Sequence, residues 1–161
     1  MTQTGYSGRP LSRKLGLKPG MTCWRAEMPE DIADLLNAQE PGQLVMASPT
    51  PMLDCAHVFV REKDVLSLHL ADLRDLLAPD GMIWVSWPKK SSKMPTTVTE
   101  DVIRDICLPM GLVDVKVCAV DTVWSGLKLV IRKEKRAEQK EKLAVQASRS
   151  AGNQSGQSNG R

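Results

Sequence analysis

Between Cys55 and Trp87 the sequence places two nearly unbroken apolar runs around one amphipathic stretch, and few folds accept that pattern. Cys55-Ala56-His57-Val58-Phe59-Val60 and Met82-Ile83-Trp84-Val85-Ser86-Trp87 lack the polar alternation of a strand with one wet face. Each therefore reads as a strand buried on both faces of a parallel sheet. Between them Leu66, Leu70, Leu73 and Leu77 recur at spacings of four, three and four, which puts them on one face of a helix. Asp64 is placed to cap that helix, and Ala78-Pro79-Asp80-Gly81 to stop it. Strand, helix and strand with short connections form a right-handed βαβ unit, so the fold class is α/β.

The flanks extend the same architecture. Upstream, a short helix is expected over Pro10–Gly16, a turn at Lys18-Pro19-Gly20, and a strand over Met21–Trp24. A helix follows from Pro29-Glu30 through Ile32, Leu35 and Leu36 to Pro41-Gly42, then a weak strand over Leu44–Ala47. Downstream, Pro88–Pro95 is a basic loop, and Thr97 with Glu100 makes a capping box for a helix that turns Val102, Ile103 and Ile106 inward. Pro109 ends that helix near Cys107. Val113–Val117 and Leu127–Ile131 then read as an antiparallel hairpin at a sheet edge, joined through Asp121–Gly126.

Charge and composition narrow the function classes. Residues 132–161 carry eight Lys/Arg against three Glu, a net of +5, while the remaining 131 residues sum to −2. The basic character belongs to a tail, which predicts a frayed helix to about Ala147 and then a stretch with no means of burying a core. Interspersed Glu134, Glu138 and Glu141 favour a solvated, solubilising role for it over nucleic-acid binding. With six aromatic residues, four of them Trp, the chain has little from which to build an RNA-stacking platform. No apolar run approaches eighteen residues, and the N-terminus has no apolar stretch after its charges. A membrane partner is therefore not expected, and the expected address is the cytoplasm. Cys23, Cys55, Cys107 and Cys118 lie far apart with no C-x-x-C pair, so zinc and disulfide frameworks are disfavoured and reduced, buried thiols are expected.

Several strings carry a family resemblance: Tyr6-Ser7-Gly8, Leu15–Gly20, Trp84–Lys90, Thr99-Glu100-Asp101, Leu112–Asp121 and Trp124–Lys128. Together they resemble a small bacterial family of unknown function placed near the class I methyltransferase-like Rossmann folds. The resemblance spans about residues 5–132. It implies a truncated methyltransferase-like, mostly parallel sheet with a C-terminal antiparallel hairpin, followed by a basic, largely disordered tail at 133–161. Asp80-Gly81 looks like that fold's turn into its fifth strand. The resemblance also implies a Gly-rich turn after the first strand, where the backbone approaches the cofactor. Here that segment is Cys23–Glu30, with no glycine, and Met46-Ala47-Ser48-Pro49 offers no acid for a ribose. Only about thirty residues separate the first strand from Cys55, room for one helix and one weak strand. No cofactor is therefore expected.

Ligands of open α/β sheets sit beyond the carboxyl ends of the parallel strands. The candidate binding residues are accordingly Ser86, Trp87, Lys89 and Lys90 at one strand end, with Trp124, Ser125 and Gly126 in the hairpin turn. If that turn lies at the same end of the sheet, Trp124 and Lys89 are expected to line one shallow pocket for an anionic or planar group. No catalytic residue or metal ligand is expected. Ser86 lacks a nucleophile elbow, His57 and His69 read as structural, and Asp54 and His57 point to opposite faces. The expected function is a non-catalytic binding or interaction module for a protein or small anionic ligand. A divergent S-adenosylmethionine-dependent methyltransferase is the alternative, and a phosphate or nucleic-acid binder using Lys89, Lys90, Lys93 and the tail a weaker one.

Overall fold

The computed structural model describes residues 8–159, with side chains from 8 to 149. Its elements are α1 (Leu11–Lys14), β1 (Thr22–Ala26), α2 (Glu30–Gln39), β2 (Leu44–Val45), β3 (Leu53–Phe59), α3 (Lys63–Leu76), β4 (Leu77–Pro88), α4 (Glu100–Cys107), β5 (Leu112–Ala119), β6 (Trp124–Ile131) and α5 (Arg136–Asn159). The six strands form one sheet in the order β2-β1-β3-β4-β6-β5. β1 pairs in parallel with β2 and β3, and β3 with β4; β6 runs antiparallel to both β4 and β5. The expected parallel βαβ unit and edge hairpin are both present.

Strand parity divides the core in two. Ala56, Val58, Ile83, Val85 and Trp87 face α3 and α4, where Leu66, Leu70, Leu73 and Ile103 cover them. Cys23, Cys55, Phe59, Met82 and Trp84 face α1 and α2, beneath Leu11, Leu15, Ile32 and Leu36. Trp84 is wholly buried, and its indole N–H donates to the Leu15 carbonyl at 2.9 Å. Leu35, expected inward, is 45% exposed, because the α2 stripe runs through Ile32 and Leu36 alone.

Local signals shifted in three places. Ala78–Gly81 does not stop α3 but forms a bulge inside β4, since Leu53 pairs with Leu77 and Cys55 already with Met82. Gly81 is required there: a Cβ would come within 2.8 Å of the Leu53 carbonyl oxygen. Thr99, not Thr97, caps α4, accepting from the Val102 N–H at 3.2 Å. Thr97 instead takes the Lys63 N–H at 2.8 Å and so caps α3 from across the sheet edge, where Glu62 is the N-cap residue and Asp64 lies inside the first turn. Pro109 sits in a 3₁₀ turn after α4 ends at Cys107, as its missing N–H requires.

The start of the basic segment is not a solvated tail. α5 docks on α3 and the head of β4 through Leu143, 4% exposed, and Gln139, 2% exposed. The Gln139 amide donates to the carbonyls of Leu77 at 2.8 Å and Arg74 at 3.1 Å, and its oxygen accepts from Arg74 Nη1 at 2.7 Å. Arg74 Nε also reaches the Met110 carbonyl at 2.8 Å. A buried glutamine satisfied on both ends is invisible to hydrophobic patterning. The expectation of a stretch without buried apolar side chains beyond Ser148 falls on side chains outside the described residues. Among the described residues no helix is long and apolar enough to cross a membrane. Gln139→Ala should destabilise the fold by about 1–3 kcal/mol in urea unfolding, the usual effect of orphaning buried polar partners. A loss below about 0.5 kcal/mol would show that α5 is held by Leu143 alone.

Candidate functional site

β4 ends at Pro88 opposite Trp124, so the hairpin turn does lie at the carboxyl end of the parallel strands. Register pairs Ser86 with Gly126, Trp87 with Ser125, and Pro88 with Trp124. All seven candidate residues thus come from the meeting of two strands, β4 and β6, and the loop after β4. They do not share one wall, however. Trp87 belongs to the α3/α4 core, while Ser86 and Trp124 face the α1/α2 side.

On that second face an aromatic row forms. The His57 ring stacks on Phe59 at 4.5 Å between centroids, and Trp124 meets Phe59 edge-on at 5.1 Å. Ser86, fully buried, is hydrogen-bonded to His57 Nε2 at 2.7 Å. Gly126 leaves room for this packing, since a Cβ there would lie 3.3 Å from the Trp84 ring. Ser86, Trp124 and Gly126 are therefore packing residues of the sheet. Lys89 is likewise engaged: its ammonium donates to the Asp121 carbonyl at 2.7 Å and its N–H to the Val123 carbonyl at 2.7 Å. Asp121 Oδ1 in turn accepts the N–H groups of Val123 and Trp124, so Lys89 and Asp121 shape the hairpin turn together.

Cations open to solvent near this strand end include Lys90 and Lys93 of the loop and Arg61 and Lys63 beyond β3. No ion pair among the described residues involves any of them. The Thr96 hydroxyl and the Thr97 N–H both donate to the Arg61 carbonyl at 2.8 Å, which draws the loop and the end of β3 into one basic rim.

The topological switch point lies between β1 and β3, where the fold family would hold a nucleoside cofactor. Here the turn after β1 reaches positive φ without glycine: Glu27 has φ 57°. That left-handed geometry costs a residue with a Cβ about 1–2 kcal/mol. Beside it the space lined by Leu17, Cys23, Arg25, Met28, Cys55 and His57 amounts to about 10 Å³. Pockets for such ligands run to about 300–1,000 Å³, so the residues present do not fit S-adenosylmethionine at this position. A roomier groove of about 610 Å³ runs between α1, α2 and the hairpin turn, past Lys14, Asp31, Leu35, Gln39 and Asp121. It contains none of the seven candidates.

Sequence reasoning missed the residues that line the small space beside the switch point. The absence of glycine from Cys23–Glu30 signalled a changed turn, but nothing in the spacing placed Leu17 and Met28 against it. Arg25 pairs in register with His57 and gives a 2.9 Å hydrogen bond to Asn37 Oδ1.

A family model described as Protein of unknown function (DUF3052) matches residues 12–133. No curated protein matches the sequence. Among solved structures, magnesium protoporphyrin IX methyltransferase from Synechocystis PCC 6803, with bound SAM, is 12% identical at a TM-score of 0.50, covering 75% of this chain and 74% of that one. A SAM-dependent methyltransferase from Aquifex aeolicus is 15% identical at 0.53, covering 75% and 88%. The pyocyanin biosynthetic protein PhzM is 11% identical at 0.57, covering 74% and 52%. At these identities the likeness is one of fold alone: a methyltransferase-like, Rossmann-type α/β sheet.

Burial, with the Arg25 charge facing the ring, pushes His57 down to about 3. The unfolded imidazole titrates near about 6.5, so as pH falls the unfolded state takes up this proton first and stability is lost between about 6.5 and 3. Relative to His57→Gln, the wild type should lose about 2–3 kcal/mol more between pH 7 and 4.5 in urea unfolding. Parallel profiles for the two proteins would show that His57 titrates alike in the folded and unfolded chains.

Proposed function

This chain belongs to the DUF3052 family, whose function is unknown, and we propose that it is a non-catalytic interaction module on a methyltransferase-like sheet. The observation that carries this reading is the switch point, where the space lined by Leu17, Arg25, Met28 and His57 amounts to about 10 Å³. With that crevice closed, recognition moves to the rim. Lys90 and Lys93 stand exposed on a loop stapled to Arg61 and Lys63, and this basic edge suits an acidic protein surface or a small anionic ligand. Lys89, an initial candidate for the same role, supports the rim by holding the hairpin turn. Four free, buried thiols fit a cytoplasmic setting.

Calorimetric titration with S-adenosylmethionine and with its demethylated product should give no saturable heat. A micromolar Kd for either would reinstate the methyltransferase reading. For the rim, poly-L-glutamate serves as an acidic probe. Lys90→Ala with Lys93→Ala should weaken its binding several-fold and leave Tm unchanged, since exposed charges contribute about 0–1 kcal/mol. Lys89→Ala should instead cost about 1–2 kcal/mol of stability through the lost charged hydrogen bond. Unaltered probe binding by the double variant would remove the rim from the proposal.

A further inference from the structure

Two of the four cysteines, unremarkable in sequence, meet in the sheet. Cys23 and Cys55 are direct partners in the parallel ladder of β1 and β3 and point into the same core, where the Cys23 thiol donates to the Met21 carbonyl at 3.7 Å. Their register is fixed one residue earlier, where Asp54 Oδ2 accepts the Thr22 N–H at 2.9 Å. Both are nearly buried, 2% and 3% exposed. Cys118 pairs with Gly126 in the ladder, and Cys107 lies at the end of α4. We propose that Cys23 and Cys55 form a reversible dithiol–disulfide site whose oxidant is hydrogen peroxide.

Geometry permits the bond. Neighbouring strands lie about 4.8 Å apart, within the span of about 4.4–6.8 Å between disulfide-bonded Cα atoms. Side chains projecting in parallel from such strands hold their Cβ atoms wider than the usual separation of about 3.8 Å. The bridge therefore draws the strands together and is readily reduced. Access selects the oxidant. The space against Cys23, Cys55, Arg25 and Met28 is about 10 Å³, so bulky disulfides are shut out and hydrogen peroxide, among the smallest oxidants, is the least excluded.

The two sulfurs have different roles. The adjacent Cys55 thiol lowers the Cys23 thiol below its ordinary range, and the Arg25 charge works in the same direction against burial and Asp54. The Cys23 thiol, then desolvation, pushes Cys55 up. Cys23 is thus the attacking sulfur. It bonds to one peroxide oxygen as the O–O bond breaks, and the departing hydroxide leaves as water with the Cys23 proton. The sulfenic acid on Cys23 is then attacked by the Cys55 sulfur; the S–O bond breaks, and a second water carries off the Cys55 proton. Two thiols lose two electrons in all, and one peroxide becomes two waters.

The test uses the full chain. Reduced protein is treated with hydrogen peroxide, quenched with catalase while folded, then unfolded and alkylated for intact-mass and peptide mapping. The expected product has two alkylatable thiols instead of four, a Cys23–Cys55 crosslinked peptide, and full reversal by dithiothreitol. Tert-butyl hydroperoxide should react at least tenfold more slowly. In Cys55→Ser, dimedone should label Cys23; in Cys23→Ser it should not label Cys55. Four intact thiols, a crosslink involving Cys107 or Cys118, or equal rates with the two oxidants would overturn the proposal. Because the decisive mapping is done on the wild type, a variant that fails to fold does not shield it.

Discussion

The indole N–H of Trp84 is buried at the centre of the sheet and must find an acceptor, and much of the molecule follows from where it finds one. An unsatisfied donor there would cost about 1–3 kcal/mol. The acceptor is the Leu15 carbonyl, which pins the segment after α1 flat across the α1/α2 face. With that segment held down, Leu15 and Leu17 are pressed toward β1 and β3, into the region where Met28 and Arg25 also arrive. A large ring in β4 thus decides what happens at the ends of strands two places away. Gly126 completes the arrangement by letting β6 pass over the ring.

The likeness to methyltransferases is therefore a likeness of scaffold. The parallel strands and the terminal antiparallel hairpin are present, and beside the switch point Leu17, Arg25 and Met28 line a space of about 10 Å³. The chain's one strained residue there, Glu27, makes the turn after β1 without the open backbone that a bound nucleoside would approach. What remains polar has moved outward. The cations of the rim stand beyond β3 and β4, while ion pairs form elsewhere, between Arg104 and Glu100, Asp101 and Asp114, and between Lys142 and Asp75.

Legibility in the sequence tracked how local each signal is. The two apolar runs and the leucine spacing of α3 needed only neighbours along the chain, and the βαβ unit was readable from them. Ala78–Gly81 misled because the residues of a turn and those of a bulge are the same; only the partner strand distinguishes them. Thr97 and Thr99 compete for one cap, and which helix each serves depends on the contact with Lys63. The placement of Trp87 and Trp124 on opposite faces follows from register, which pairs Trp124 with Pro88 and not with Trp87. Gln139 and the Cys23–Cys55 pair are tertiary facts with no periodic trace.

The Thr97 hydroxyl that caps α3 ties the basic loop to the βαβ crossover. Lys90 and Lys93 stand on the same loop, and Arg61 receives two of its hydrogen bonds. Loop position and the winding of the first helical turn are thus one equilibrium with two visible ends. Whatever holds the loop in place also holds the Lys63 amide, and whatever lifts it frays that turn. A molecule seated on the proposed rim would thereby be coupled to Leu66 and the α3/α4 core, which would make the rim less a passive patch than a handle on local cooperativity.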